Sequence, residues 1–589
     1  MNAAAVQRRR RLPIVLGALA VVFILVGGIL ALSGPGDAPA DDDCLPLSMW
    51  SSDEKTPLLI EIAKRYKESD HRVDGRCVDV EVTARSSQET VVALTADPDA
   101  RPELWSPSSR YWVDSLRSAI ATRPGRVRSV PDNPVSLASS PIVIAMPEPM
   151  ARELGWPEGA IGWRDMIALA RQPDGWGSRG KPWGAFKIGK TNPVHSTAGL
   201  LATIATAGAL SGTSDALTLP ALEDPAVAAG LRALENTAVH YGKRSSVFVH
   251  NLYAADQEGR ALDYVSAVPL EEKVVLDYNR GVLVGDSRAR TPPQVKLAAV
   301  FPTDGTAVSD NPAIVVDGEW VTDEEKRAAE GFLAYAQEQK EMFAEDGFRD
   351  GEGKPGERHV EANGTIANPA FRLVRTPALE VSDGVRELWQ RNRRRANVLL
   401  LVDVSKSMEK LVDPVARTRL DLARDAARLV PEQLTEDDTL ALWEFSSPLG
   451  TDARPWRERV GAGAVGVVRD AFGRAVDGLQ PTGATELYES TRAAVDDVRG
   501  RFDASRINAV VVLSDGRNEP PRPDGLTGLE NALRAADKDR VVRVFSIAYG
   551  DEADRRALEA ISTAARGGFY DSTDAARIES VMADVLSNF

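Results

Sequence analysis

Cysteine is nearly absent from this sequence: 589 residues contain two, Cys44 and Cys77, which leaves room for one disulfide and no more. Histidine is scarce too. The five, His71, His195, His240, His250 and His359, show no zinc-ligand spacing. No Gly-x-Ser-x-Gly elbow occurs, so the nucleophile turn of many serine hydrolases is missing. Positive charge is in deficit: a formal net charge of −15 argues against general affinity for nucleic acid. What remains is an ordinary globular composition, 43% hydrophobic and 27% charged, on a chain long enough for about three or four domain-sized units.

Arg8-Arg9-Arg10-Arg11 precedes a stretch without a charge, residues 12–32. Its length matches the ~20 apolar residues that cross a bilayer core as a transmembrane helix. The arginines hold residues 1–11 in the cytoplasm and send the remainder outward. A cleaved signal peptide is the rival, with Ala38-Pro39-Ala40 as a small-residue cleavage site. The run exceeds the roughly 7–15 residues of a secretory core, which favours an uncleaved anchor. Asp41-Asp42-Asp43 before Cys44 is no lipoprotein signature, and residues 33–43 read as a flexible linker. The chain is thus expected to be a single-pass cell-membrane protein, mostly extracytoplasmic. Both cysteines lie on that side, where a Cys44–Cys77 disulfide is favoured over two thiols.

Residues 397–403, Asn-Val-Leu-Leu-Leu-Val-Asp, read as a buried strand of the parallel type. The strand runs into Asp403-Val404-Ser405-Lys406-Ser407, placing a carboxylate and two hydroxyls at its carboxyl end, where open α/β sheets bind ligands. Pro481-Thr482-Gly483-Ala484-Thr485 turns into a helix and offers Thr485; a second buried run, residues 507–514, ends in Asp515. Alone, Asp403 and the serines could be a helix cap. Together, Asp403, Ser405, Ser407, Thr485 and Asp515 are hard oxygen donors of the kind that hold Mg²⁺.

On those residues, 397–589 resembles a von Willebrand factor type A domain with a complete metal-ion-dependent adhesion site. The family pattern, Asp-x-Ser-x-Ser, then Thr, then Asp, matches at all five positions. Ala484 departs, where many members carry a second glycine. The resemblance implies a doubly wound Rossmann-like fold and Mg²⁺, with Mn²⁺ or Ca²⁺ as substitutes. It also implies a protein partner whose Asp or Glu carboxylate fills an open coordination position. No general base or nucleophile adjoins the five in sequence, so binding is expected and enzyme activity is not.

From residue 44 to 380 the order strand, serine-rich turn, helix repeats. Ser51 and Ser52 follow one apolar strand, Ser86 and Ser87 a second, and Trp105 leads into Ser106 and Ser108. Ser139 stands just before the apolar run 141–146. Hydroxyls at helix amino termini suit anions or polar ligands. Further segments are 189–193, with Lys190, Thr191 and Asn192; 196–200, with Ser196 and Thr197; and Phe301-Pro302-Thr303-Asp304-Gly305-Thr306. With this element order the region resembles extracytoplasmic solute-binding proteins of the type 2 fold, two α/β lobes around a cleft, and these residues are the cleft candidates. Residues 184–191 also fit the P-loop pattern, but 185–188 reads as strand, Pro193 follows, and helix begins only near Ser196, so nucleotide binding is not expected. Residues 381–396 read as a joining helix with a basic end. The expected whole is an α/β, membrane-anchored binding protein. The alternative is a receptor delivering a small solute to an ABC-type transporter.

Overall fold

Alternation sets the first sheet. In Leu45–Ser51, the residues Leu45, Leu47, Met49 and Ser51 turn inward and those between are more exposed. The computed structural model describes residues 44–589 apart from 70, 124, 214–216, 287, 289, 413–415, 450–453 and 520–524. That strand lies in a five-stranded sheet ordered Val78–Ala84, Leu45–Ser51, Leu104–Ser106, Pro312–Val315, Val135–Ser136. The first three run parallel, and Pro312–Val315 returns antiparallel. The second sheet is ordered Leu297–Val300, Ser140–Pro147, Thr306–Ser309, Leu373–Val374, with Val268–Glu271 also paired to Ser140–Pro147. Ser140–Pro147 is buried along its whole length, as its unbroken apolar sequence demands. The chain crosses between the sheets at residues 137–139 and 310–311, so each sheet is the core of one lobe.

Two expectations need correction here. The strand expected over 185–188 forms over Ile188–Thr191, because it pairs with Ala238–Gly242 at that register. The next helix starts at Thr197, so no helix follows Lys190-Thr191 to close a phosphate loop. The joining helix expected over 381–396 forms over Leu379–Asn392 and is packed on the second lobe. Helix Leu379–Asn392 buries Val385, Leu388 and Trp389 against the helices of the second lobe, and the next strand already begins at Arg395.

The carboxyl-terminal domain is a six-stranded sheet ordered Arg454–Ala464, Thr439–Leu449, Arg395–Asp403, Arg506–Ser514, Arg543–Tyr549, Phe569–Ser572. All neighbours are parallel except the edge strand Arg454–Ala464. That strand, the helix Val465–Asp477 and the strand Phe569–Ser572 are absent from the sequence reading. The edge strand's Arg-Pro-Trp-Arg-Glu-Arg start hides its β character, since only one face needs apolar residues. The closing helix Ile578–Leu586 buries Ile578, Met582, Val585 and Leu586 on one face, as its spacing requires.

The second lobe docks against the amino-terminal ends of this sheet's strands. Arg394 N donates to Tyr241 Oη at 2.8 Å, Asn251 Nδ2 to Gly567 O at 2.8 Å, and Tyr241 N to Asn588 O at 2.9 Å. One hydrophobic cluster runs through both bodies. At ~3.3 Å per residue, the nine-residue strand Arg395–Asp403 puts its carboxyl end ~25–30 Å from this junction. Among the described residues no helix is long and apolar enough to cross a membrane. The anchor expected over 12–32, and its flanks 1–11 and 33–43, lie outside the described residues.

Candidate functional site

At the carboxyl ends of the central strands, Asp403 ends one strand and Asp515 follows another, while Thr485 stands on the turn before helix Leu487–Gly500. Asp403 and Asp515 are fully buried, and Ser405 and Thr485 nearly so. Asp403 accepts from Ser405 N at 2.8 Å and from Ser514 Oγ at 2.6 Å. Ser405 Oγ and Ser407 Oγ lie 2.9 Å apart, Thr485 Oγ1 donates to Ser405 Oγ at 3.1 Å, and Ser407 Oγ donates to Asp515 Oδ1 at 2.6 Å. The five sequence-predicted side chains form one hydrogen-bonded cluster, beside an open hollow that Asp551 and Glu552 help to line.

Two glycines make this convergence possible. Gly483 adopts φ +64°, and a Cβ there would lie 2.0 Å from Ser447 O. A Cβ on Gly516 would lie 2.6 Å from Thr485 Oγ1. Ala484, the departure from the family pattern, sits in an ordinary bridge: its carbonyl accepts from Ser447 N at 2.7 Å. Of positions 483 and 484 only the first demands glycine, so alanine at 484 leaves Thr485 in place.

The donor set fits a hard divalent cation: two carboxylates and three hydroxyls, with no sulfur or imidazole. Burial pushes the Asp403 carboxyl up to about 7, and the neighbouring Asp515 charge adds to the rise. A cation among these oxygens would reverse that, because opposite charge nearby favours the ionised form. Burial also raises Asp515, against hydrogen bonds from Ser407 and Arg419. Arg419 was not singled out in the sequence. Its guanidinium donates to Asp515 Oδ2 at 2.9 Å and to Asp551 Oδ1 at 2.6 Å, anchoring one ligand-type carboxylate from outside.

The two lobes enclose a second site, a cavity of about 40 Å³. Of the cleft candidates, Ser52, Ser86, Ser87, Ser108, Ser196 and Thr197 line it. Ser87 Oγ lies 3.2 Å from Ser108 Oγ, which bonds Thr197 Oγ1 across the lobes at 2.6 Å. The other candidates lie elsewhere. Ser51 Oγ turns to Ser52 O, Ser106 Oγ to Pro312 O at 2.8 Å, and Ser139 Oγ to Asp350 O at 2.6 Å. Trp105 is wholly buried in the core. Lys190 pairs with buried Glu235, Thr191 is fully buried, and Asn192 Nδ2 reaches Ser587 O at 3.1 Å in the domain junction.

Charged residues that the serine pattern did not indicate complete the cavity: Asp53, Glu54, Lys243, Arg244 and Glu271. Glu54 stands directly behind Ser52-Asp53, and Glu271-Glu272 ends an apolar strand; a search for acids after strand ends would have found both. Arg244 crosses the cleft to Asp53 at 3.1 Å and Glu89 at 3.2 Å. Lys243 pairs with Glu89 at 2.6 Å and with Asp584 of the carboxyl-terminal domain. Burial alone would raise Glu89, but Lys243 and Arg244 together bring it down to about 2. His195 also faces the cavity, and burial, with Lys243 and Arg386, holds it down to about 4, so it is neutral. Far from the cavity, Cys44 and Cys77 are joined in a disulfide.

A family model of bacterial extracellular solute-binding proteins matches residues 47–349. A model of the von Willebrand factor type A domain matches residues 397–584. The chain is similar to an uncharacterized protein from Mycobacterium tuberculosis, 23% identical over 590 residues, spanning 94% of this chain and 80% of that protein. Among solved structures it is similar to the sulfate-binding protein SubI from M. tuberculosis, at 15% identity over 59% of this chain and 96% of that one, TM-score 0.36. It is also similar to a von Willebrand factor type A protein from Catenulispora acidiphila, at 19% identity over 33% of this chain and 42% of that one, TM-score 0.27.

Proposed function

The chain belongs to the bacterial extracellular solute-binding protein family, and from that premise we propose that it is a membrane-anchored, extracytoplasmic binding protein with two recognition sites. In its von Willebrand factor type A domain, Asp403, Ser405, Ser407, Thr485 and Asp515 would hold Mg²⁺, with Mn²⁺ or Ca²⁺ as substitutes, directly or through water. An ion there would offer one free position to an Asp or Glu carboxylate of a protein partner. One observation carries the reading: three hydroxyls and two buried carboxylates, from three chain segments, meet within hydrogen-bond reach. Ser514 and Ser405 N orient Asp403, Arg419 orients Asp515, and the solute-binding module docks at the far end of the sheet.

Calorimetric titration of Mg²⁺ and Mn²⁺ into the chain tests the metal: uptake is expected, and Asp403→Ala should abolish it with an unchanged circular dichroism spectrum. No uptake by the wild type would end the reading. A pull-down from the native envelope, with Mg²⁺ and with EDTA, tests the partner; retention indifferent to EDTA would rule out carboxylate capture. A reporter fused behind residue 589 tests the topology, and a cytosolic signal would overturn it.

The interlobe cavity favours a second reading, a receptor that hands a small solute to an ABC-type transporter, with the carboxyl-terminal domain as its dock. A soluble ligand would then raise the unfolding midpoint by an amount that grows with its concentration over its dissociation constant.

A further inference from the structure

Serine-rich turns at helix amino termini suit an anion. The charges around the cavity point the other way. Lys243 is taken up by Glu89 and Asp584, and Arg244 by Asp53 and Glu89. Lys55, buried behind the floor, donates to Ser52 Oγ at 2.7 Å, Pro107 O at 3.0 Å and Asn311 Oδ1 at 3.0 Å, all neutral acceptors. Counted together, Asp53, Glu54, Glu89, Glu271 and Asp584 are five acids against Lys55, Lys243 and Arg244, so positive charge is missing, and the ligand-free chain makes up part of it with a proton on Glu271.

Glu271 shows where that charge belongs. It is 3% exposed, and its Oε1 accepts from Ser309 Oγ at 2.9 Å. Its Oε2 is buried without a hydrogen-bond partner on a side chain that lines the cavity. A buried polar atom of this kind is costly unless a donor meets it. The hydroxyls of Ser52, Ser87 and Thr197 line the cavity and already accept from Lys55 Nζ, Ser108 N and Trp112 Nε1, which leaves each at most one further lone pair for an N–H. A cavity of about 40 Å³ has room for two or three waters or one small ammonium head.

Resting on the reading of the two lobes as a solute-binding cleft, we infer that this cavity takes the positively charged nitrogen of a small solute, with Glu271 Oε2 and Glu54 as its counter-charges. The ammonium group belongs to either a simple amine or an amino acid.

Thermal unfolding of the full chain tests this, with ammonium chloride, methylammonium chloride, glycine and sodium sulfate as probes against sodium chloride at equal ionic strength. A midpoint that climbs with an ammonium-bearing probe, and not with sulfate, is expected. Glu271→Gln and Glu54→Gln should each weaken that response about tenfold to a hundredfold, the worth of a hydrogen bond to a charged group. A glycine response stronger than methylammonium's assigns an amino acid; the reverse assigns a simple amine. An amine response undiminished in both variants overturns the assignment. A sulfate response overturns it too, while leaving the cleft a solute site. No response to any probe overturns the assignment together with the cleft reading.

Discussion

Replacing Glu271 by glutamine removes one charge from the interlobe cavity and keeps the shape of the side chain. Burial first, then the Glu54 charge, pushes the Glu271 carboxyl from its ordinary 4.5 up to about 8, against partial relief from Lys55 and Ser309. Between those values the folded chain holds a proton that the unfolded chain has released. Stability therefore falls as pH rises through that window. At about 1.4 kcal/mol for each pH unit, the ligand-free chain has lost about 3 kcal/mol by pH 7 and about 5 kcal/mol by pH 8. Glutamine does not titrate and escapes this loss. It still accepts from Ser309 Oγ, and its new N–H faces a cavity that can hold water. If that N–H goes unmet, it costs about 1–3 kcal/mol. The variant should then gain about 2–4 kcal/mol at pH 8 and lose about 1–3 kcal/mol at pH 4, where neither side chain is charged and only the unmet N–H counts. At roughly 2 °C per kcal/mol for a large domain, the ligand-free unfolding midpoint rises by about 4–8 °C at pH 8. Paired melts of wild type and Glu271→Gln at the two pH values decide it. A variant less stable than wild type at pH 8, or a difference equal at both, refutes the reasoning.

Three further changes probe the rest of the chain. Gly483→Ala should destabilise the carboxyl-terminal domain by more than about 2 kcal/mol, from a left-handed backbone and a 2.0 Å approach to Ser447 O, and should lose Mg²⁺ uptake; Ala484→Gly should stay within about 1 kcal/mol. Urea titration of both separates the two glycine-loop positions. Lys190→Met leaves the fully buried Glu235 carboxylate, which also accepts from Tyr241 Oη at 2.8 Å and Trp389 Nε1 at 3.1 Å, without its cation, at a cost of about 3–5 kcal/mol. Adding Glu235→Gln should recover most of it in the same urea titration, and a silent Lys190→Met would show that the pair is not structural. Cys44→Ser with Cys77→Ser opens a loop of 33 residues and should cost about 3–4 kcal/mol, matched by adding reductant to the wild type.

The metal-type cluster is legible in the sequence because each of its donors sits at the end of a strongly apolar run or on a glycine turn, and such runs reveal their own strand ends. Asp403 and Asp515 can thus be placed before any fold is known, and the parallel sheet then has to bring them together. Arg419 has no such marker: it opens an amphipathic helix, and only the packing of that helix shows its guanidinium turned onto Asp515. The cleft is harder for the same reason at longer range. Serine pairs behind strands read equally well as caps, as structural hydroxyls or as ligand donors, and the fold divides them accordingly. Ser86 caps a helix at the rim, Ser106 bonds the neighbouring strand, and Ser87 and Ser108 face Thr197 of the opposite lobe. What the pattern cannot carry is sign. Local hydroxyls and helix ends argue for an anion, whereas Glu54 and Glu271, far apart in the chain, meet in the folded cavity, where burial and a neighbouring acid raise both carboxyls and favour a proton or a cation beside them. The chemistry of the cleft therefore depends on a long-range encounter between two acids, each of which, read alone, is an ordinary glutamate at the end of a strand.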